Sequence, residues 1–479
     1  MNKVLNAANE TMTKYRWTVC TLLFFATTIN YMDRQVLSLL QPRLEEIFHW
    51  TDSDYGTITG LFALAYAISM IFVGRFIDKV GTKKGYAWAI GIWSVGACIH
   101  ALCGLITEKW TGLEDTAAIA NAPDALIPTV VVVSMTAFIL GRIVLAIGEA
   151  GNFPAAIKAT AEYFPKKDRA FATGIFNSGS NVGAILAPLS VPFMAKAWGW
   201  EAAFLVVGGL GFIWLIFWLL LYKKPEQNKW MNDAERAYIN QDAEEEGEKE
   251  TVTEGAEAKV SFWKMLQYKQ TWGLFLGKFM TDGVWWFYLF WTPAYLKAEY
   301  GMIDGQIALP IGILYTITVF GSIFGGKFPN YFFKKGMNPY EGRMKAMMYI
   351  AIVPLVVVLA QPLGHIGALG GNAYWIPIIL IGIGGSAHQA WSANFFTTGS
   401  DLFPKKAVAT ITGITGLAGG LSSFILNKGS GMLFDYSLAE WGSKTPGYTI
   451  VFTYCAVAYI IGWLCMKSFS PKYNPIKDL

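Results

Sequence analysis

Apolar and polar positions along this chain fall into long blocks. Twelve apolar runs, at about 17–40, 54–78, 85–107, 128–159, 169–194, 201–222, 272–297, 305–328, 343–361, 373–398, 408–433 and 447–468, are separated by shorter polar loops. Runs of this length read as helices that cross a hydrocarbon layer of about 30 Å. The loops are not alike. Lys79, Lys83 and Lys84 follow the second run, Lys166, Lys167 and Arg169 the fourth, and Lys405 and Lys406 the tenth, whereas the loop at 108–127 holds only Lys109. Lys/Arg-rich loops stay in the cytoplasm, so both termini are expected there.

The longest polar stretch runs from about Tyr222 to Gln270 and contains the acidic run Glu244 to Glu250. It reads as a solvated linker, with Asn232 to Ile239 forming a short surface helix ahead of it. It divides the spans six and six. The expected units are an N-terminal six-helix bundle (1–222), a cytoplasmic linker (223–270) and a C-terminal six-helix bundle (271–479). The halves repeat. Phe164-Pro165-Lys166-Lys167 recurs as Phe403-Pro404-Lys405-Lys406, an offset of 239 (403 − 164), and Thr173-Gly174-Ile175 recurs as Thr412-Gly413-Ile414 at the same offset. The repeat sets Glu149 opposite His388. A parallel duplication of this kind puts a substrate near the midplane between halves.

Composition agrees. Of 479 residues, 54% are hydrophobic and 15% charged, against about a quarter charged in soluble proteins. The net charge of +4 is spread over loops, so nucleic acid is not an expected partner. Cys20, Cys98, Cys103, Cys455 and Cys465 lie in or beside apolar runs without metal-ligand spacing. They read as packing residues, and no disulfide framework, metal or cofactor is expected. The N-terminus lacks a cleavage pattern, so the first span is expected to be retained. The chain shows no metal-ligand cluster, nucleophile elbow or phosphate-binding loop, which argues against an enzyme.

Buried ions carry the candidate chemistry. The fourth span holds Arg142 and, seven residues on, Glu149; that spacing returns to nearly one face, about 10 Å further along the axis. The first span holds Asp33 and Arg34. Ions at membrane depth are kept mainly where they pair or line a wet cavity. These four are expected to form an anion site coupled to a proton site. An arginine presents a planar fork that matches a carboxylate. Two arginines oversupply positive charge for a neutral sugar and suit a sugar acid. Burial and Arg142 act on Glu149 in opposite senses, which suits a group that trades a proton near neutral pH. Asp33 and Arg34 stand about 100° apart on a helix; Arg34 is expected to face the cavity and Asp33 the fourth span. The plainer alternative is that these charges only pin helices.

Other polar groups fit hydroxyls. Asn177 and Asn181 share a face of the fifth span, with Ser178 and Ser180 beside them; small polar residues there also serve helix packing. The tenth span offers His388, Gln389, Ser392 and Asn394 near Trp391, with His388 either a proton group or a buried structural bond. Lys278 and Asp282, four apart in the seventh span, can pair and read as structural or gating. Trp285, Trp286 and Tyr288 gate, stack on substrate or belong to an aromatic belt. Lys428 is a further buried cation without an assigned role.

Two motifs give a resemblance. Gly74-Arg75-Phe76-Ile77-Asp78-Lys79-Val80-Gly81-Thr82-Lys83-Lys84 resembles the G-x-x-x-D-x-x-G-x-(K/R)-(K/R) signature of the major facilitator superfamily. Gly74 is expected to let two helices approach, Asp78 to accept from basic side chains and face a helix N-terminus, and Gly81 to allow a tight turn. The resemblance implies a cytoplasmic latch made by Gly74, Asp78, Gly81, Lys83 and Lys84, closed in the outward-facing state. A worn copy, Gly326-Lys327-Phe328-Pro329-Asn330, lacks the acid and implies a weaker latch. Asn30-Tyr31-Met32-Asp33-Arg34, with Tyr66, Arg142 and Glu149, resembles the anion:cation symporter family. The stretch from His388 to Thr398 and Asp401 to Lys406 looks most like its hexuronate branch. The implied fold is all-α, with twelve transmembrane helices in two pseudo-symmetric six-helix bundles. Asp33 and Glu149 fall on the proton-coupling positions. Arg34 and Arg142 fall on the substrate-clasping positions, with Tyr31 and Tyr66 beside them. The implied activity is symport of protons with a hexuronate such as glucuronate or galacturonate, by a monomer in the bacterial inner membrane. The alternatives are a facilitator for an aldonate, aldarate, dicarboxylate or inorganic anion, or a drug antiporter.

Overall fold

The structure, a computed structural model, describes residues 11–241 and 261–476. The acidic run Glu244 to Glu250 and the side chains of Lys166, Lys167, Lys405 and Lys406 lie outside the described residues. The first six long helices are α1 (Tyr15–Phe48), α2 (Asp52–Val80), α3 (Thr82–Ala101, continued by Cys103–Thr111), α4 (Ile127–Glu149, continued by Asn152–Tyr163), α5 (Lys166–Trp198) and α6 (Trp200–Leu221). The second six are α7 (Lys269–Tyr300), α8 (Ala308–Gly325), α9 (Pro339–Ile352, prolonged through a 3-10 stretch to Gly364), α10 (Trp375–Leu402), α11 (Lys405–Trp441) and α12 (Thr445–Phe469).

Among the described residues, six of these pass as membrane spans on length and composition alone: α2, α4, α6, α8, α9 and α12. A seventh, α3, joins them when its two parts, bent by 43°, count as one span. The other five carry polar groups at mid-length: Asp33 and Arg34 in α1, Asn177 and Asn181 in α5, Lys278 and Asp282 in α7, His388 in α10 and Lys428 in α11. An apolar average fails where a helix turns polar residues toward a protein interior, which is where such residues are kept.

Local chemistry sets the ends. Thr51 and Asp54 form a reciprocal capping box at the start of α2, which satisfies two otherwise orphaned amides. Gly81 closes the turn to α3 with φ +83°, a conformation that costs glycine least. The helix of α4 breaks immediately after Glu149. Just before it, Gly148 lets α4 lie on the backbone of α3; a Cβ there would collide with the backbone of Trp93 and stand 2.7 Å from the Ala89 carbonyl oxygen.

In the first bundle α1 packs along α5 and α6, and α3 along α4 and α6. In the second, α7 packs along α11 and α12, and α8 along α10. The bundles meet most extensively through two pairs, α2 with α11 and α5 with α8, and α1 also packs on α7. The 239-residue repeat exchanges these pairs, as a pseudo-two-fold arrangement requires.

The two ends of the molecule differ. We call the end with the start of α1 and the α2–α3 turn the near end. There a short helix, Asp233–Ile239, docks on α1: Glu235 accepts from Arg16 Nη1 at 3.1 Å and from the Tyr15 amide at 2.9 Å. At the far end and down to the middle the bundles touch closely. Gly56 lies on the backbone of Asn427 and Lys428, Gly60 on Phe424, and Gly431 on Asp52. At the near end a Cβ on Gly74, Gly174, Gly326 or Gly413 would meet nothing within 4 Å. The cleft between bundles therefore opens toward the near end. This corrects the expectation that Gly74 sits at a close helix approach. The face of α2 that carries Gly74 has no neighbour at that level, because α2 and α11 have parted there.

Candidate functional site

The four ions from α1 and α4 lie together at mid-depth, below the far-end closure. Asp33, Arg34, Arg142 and Glu149 are 3, 4, 1 and 0% exposed. Arg34 donates from Nε at 2.9 Å and from Nη2 at 2.7 Å to one oxygen of Glu149, Oε2. The other oxygen, Oε1, has no hydrogen-bond partner. Arg142 reaches the Arg34 carbonyl from Nη1 at 3.5 Å and leaves Nε and Nη2 unpartnered. Asp33 turns away from Arg34 and lies within electrostatic reach of Glu149, Arg142 and Cys98 of α3. Its Oδ2 is unpartnered, as are both polar atoms of Asn30, which is fully buried one turn before Arg34. Native interiors hold few such orphans, and a cluster of them marks a place built for something besides stability.

The sequence set Glu149 near Arg142 on one face without assigning it a partner. Glu149 meets Arg34 from another helix, not Arg142 from its own. Seven residues put Arg142 about 10 Å away along α4, while α1 crosses at the level of Glu149. Asp33, expected to turn toward the fourth span, has Glu149 and Arg142 of α4 within electrostatic reach, and Cys98 of α3 besides.

Aromatic rings roof the group. The Arg34 guanidinium lies 4.8 Å from the Tyr66 ring centroid, 4.9 Å from Trp286 and 5.1 Å from Tyr31, and Arg142 lies 5.0 Å from Phe62. Ring faces carry negative charge density that stabilises a cation without neutralising it. Trp286 belongs to the second bundle, so both bundles close over Arg34. Tyr31 and Tyr66 are half-buried and form the part of the roof turned to the cleft.

The remaining candidates divide. In α10, His388 is buried, bonds Tyr459 Oη from Nδ1 at 2.8 Å, and stacks on Trp285 with centroids 5.3 Å apart. Trp391 packs edge-on against Tyr459, and its Nε1 is unpartnered. Asn394 donates from Nδ2 to the carbonyls of Gly325 and Ala390, both at 2.8 Å, so this amide ties α10 to α8. Gln389 and Ser392 are half-buried. In α5, Gly179 and Gly183 pack on α1, and Asn177 and Asn181 stand about 160–200° around the helix from Gly179. These two asparagines therefore face away from α1.

At the near end Asp78 accepts from Lys158 of its own bundle at 2.8 Å, with side chains 74 and 31% exposed. That it accepts from a basic side chain is as expected. Lys83 donates to the Leu219 carbonyl at 2.8 Å, and Lys84 is exposed.

Sequence reasoning missed the far-end closure. Among the described residues, the hydrogen bonds and ion pairs that join the bundles all lie there. Lys444 stands 2.6 Å from buried Asp52 and 3.9 Å from Glu45. Asp435 accepts from the Asp52 and Ser53 amides at 3.0 and 2.8 Å, so a carboxylate of α11 caps α2. Lys297 pairs with Glu46 at 2.9 Å and donates to the Pro42 carbonyl at 2.7 Å. Tyr55 Oη donates to the Phe290 carbonyl at 2.7 Å. Burial would lower the Lys444 ammonium, but Asp52 and Glu45 beside it hold it above the usual lysine value. The only signal in the chain was a set of charges at the ends of apolar runs. Among the described residues no cluster of three or more His, Cys, Asp or Glu side chains could hold a metal ion.

Comparison with known proteins agrees with this architecture. The family model of the Major Facilitator Superfamily matches residues 23–426. The hexuronate transporter of Escherichia coli (strain K12) is 31% identical over 450 residues, covering 94% of this chain and 92% of that protein. The probable galactarate/D-glucarate transporter GarP of the same strain is 24% identical, covering 92% of each. Among solved structures, that of a D-xylose-proton symporter matches with a TM-score of 0.66 at 15% identity, covering 97% of this chain and 100% of that one.

Proposed function

Because the chain belongs to the major facilitator superfamily, whose members are transporters and not enzymes, we propose that it carries a sugar-acid anion, a hexuronate such as glucuronate or galacturonate, inward with protons. The observation that carries this reading is the Arg34–Glu149 pair, with its unpartnered neighbours, under a roof shared by both bundles. The printed function of the hexuronate relative supports the substrate class.

The near end is the cytoplasmic end, by its Lys/Arg-rich loops, so the structure corresponds to an inward-facing carrier of the inner membrane. The cycle starts outward-facing. Protons neutralise Glu149 and Asp33. Loss of the Glu149 charge frees the Arg34 fork, and the substrate carboxylate takes its place, with Arg142 as second donor. The proton on Glu149 and the substrate anion on Arg34 are therefore bound and carried together. The bundles then rock: the far end closes through Lys444, Asp435 and Lys297, and the near end opens. Substrate leaves, Glu149 gives up its proton and pairs again with Arg34. That last arrangement is the one described above. The coupling is needed because moving each unit of charge against the membrane potential costs about 2.3 kcal/mol per 100 mV.

The test is uptake of labelled glucuronate into proteoliposomes under an imposed pH gradient. Acid outside should accelerate uptake and drive accumulation. Uptake indifferent to the gradient overturns the proton part, and no uptake of either uronate overturns the substrate.

A further inference from the structure

One buried ion pair has no part in that cycle. Lys278 Nζ stands 2.7 Å from Asp282 Oδ1, with side chains only 7 and 17% exposed. An i,i+4 pair on a helix surface gives a few tenths of a kcal/mol. Burying its charges costs several kcal/mol per ion, so helix stability does not account for its position.

Its setting points to the cleft. Lys278, Asp282, Trp286 and Phe290 follow at intervals of four on one face of α7, each about 6 Å further along the axis. The last two are fixed against the first bundle: Trp286 covers Arg34, and the Phe290 carbonyl accepts from Tyr55. Asp282 and Lys278 continue that face one and two turns toward the open end. Asp282 lies within electrostatic reach of Tyr31, which itself sits over Arg34. On its other side Asp282 packs on Gly419 of α11. Lys278 lies 4.5 Å from the Phe396 ring centroid and within reach of His388. The pair therefore stands between Arg34 and the open cleft, on the second bundle.

We propose that Lys278 and Asp282 are the second bundle's part of the substrate site and set which acids it accepts. The inference rests on the reading of Arg34 as the carboxylate site. An acid held there by its carboxylate lays its other end along α7. Asp282 accepts a hydrogen bond from a hydroxyl at that end. It repels a carboxylate in the same place, and it occupies the ammonium of Lys278 that would otherwise receive one. The pair thus selects sugar acids with one carboxylate over aldarates, which carry one at each end. Rejection by an unfavourable charge is a standard way to build selectivity.

The experiment uses the full chain in proteoliposomes. Unlabelled glucuronate and glucarate compete with labelled glucuronate, and the ratio of their half-inhibiting concentrations is read. Wild type should need more glucarate than glucuronate. Asp282→Asn releases Lys278 and removes the repulsion; it should raise the KM for glucuronate and shift the ratio toward glucarate by about tenfold. Lys278→Met leaves the carboxylate bare and should shift the ratio the opposite way. A pair that merely pins helices would weaken both acids alike. Ratios unchanged in both variants, or moved in the same direction, overturn the inference. If Asp282→Asn does not reach the membrane, the direction of the Lys278→Met shift decides. Wild type that takes up no uronate overturns the earlier functional reading; wild-type uptake with unmoved ratios overturns only this one.

Discussion

Arg34 spends two donors on a single oxygen of Glu149 and leaves the second oxygen bare. A side-on pair of this kind is weaker than a two-oxygen fork, and it is made from residues on different helices. Removing the Glu149 charge without its shape should therefore free Arg34 permanently. Glu149→Gln is expected to retain exchange of substrate across the membrane and to lose accumulation driven by a pH gradient. Counterflow and gradient-driven uptake, measured on one preparation, check this.

The two arginines should separate in a stability assay. Arg34→Ala leaves Glu149 as a bare buried charge, a change that typically costs about 3–5 kcal/mol. Arg142 has two unpartnered donors and only one long contact, so Arg142→Ala should lower thermal stability far less. Both should abolish uptake. Thermal unfolding in detergent alongside transport reads both quantities.

Cutting the far-end closure should favour the opposite conformation. Lys444→Ala removes the cation beside Asp52 and Glu45, and Asp435→Ala uncaps α2. Loss of about 1 kcal/mol shifts a two-state balance by about fivefold. A cysteine at Ser53 should then react correspondingly faster with an impermeant maleimide added outside. Lys444 titrates above the usual lysine value. Its contribution is full below about pH 10.4 and is lost only as pH rises through the higher folded value. Acid opening of this end, if measured, must run through the carboxylates.

The near-end pair should matter for turnover and hardly at all for stability in the state described here. Asp78 is largely exposed and Lys158 half-buried, and pairs open to solvent contribute about 0–1 kcal/mol. Asp78→Asn should leave thermal unfolding nearly unchanged and slow uptake several-fold.

Packing beside the site should be unforgiving. Gly148→Ala pushes a methyl group into the backbone of Trp93 and Ala89. Overpacking of this kind costs about 1–3 kcal/mol, and here it displaces the residue before Glu149. Lower thermal stability with a raised KM for uronate is the expected result.

Much of this was legible in the chain because the bilayer imposes its own grammar. Apolar runs between polar loops outline twelve long helices, of which length and composition alone pass six or seven as spans; the 239-residue offset sets the pseudo-symmetry, and four charges inside the first and fourth runs mark the site. The pairing of Lys278 with Asp282 was legible because both lie on one helix, where spacing alone decides. The partner of Glu149 was not. Spacing puts Arg142 on the right face, and only the crossing of α1 over α4 decides that Arg34 arrives instead. Trp286 could be seen as an aromatic near a charge, but not as the second bundle's cover for an arginine of the first. Asp52, Lys297, Asp435 and Lys444 were invisible for the same reason. At a helix end each resembles an ordinary solvated cap until its mate in the other half is known.

The bare glycines of the near end have a further meaning. Gly174 and Gly413 occupy equivalent repeat positions on α5 and α11; Gly74 lies on α2, which packs with α11, and Gly326 just past the end of α8, which packs with α5. None of the four is needed for the shape described here, where an added Cβ would meet nothing within 4 Å. Their smallness is a reserve held for another geometry, in which these helices come together flush at this end. Bulk introduced there would leave this structure intact and forbid its counterpart, trapping the molecule with its door ajar to one side.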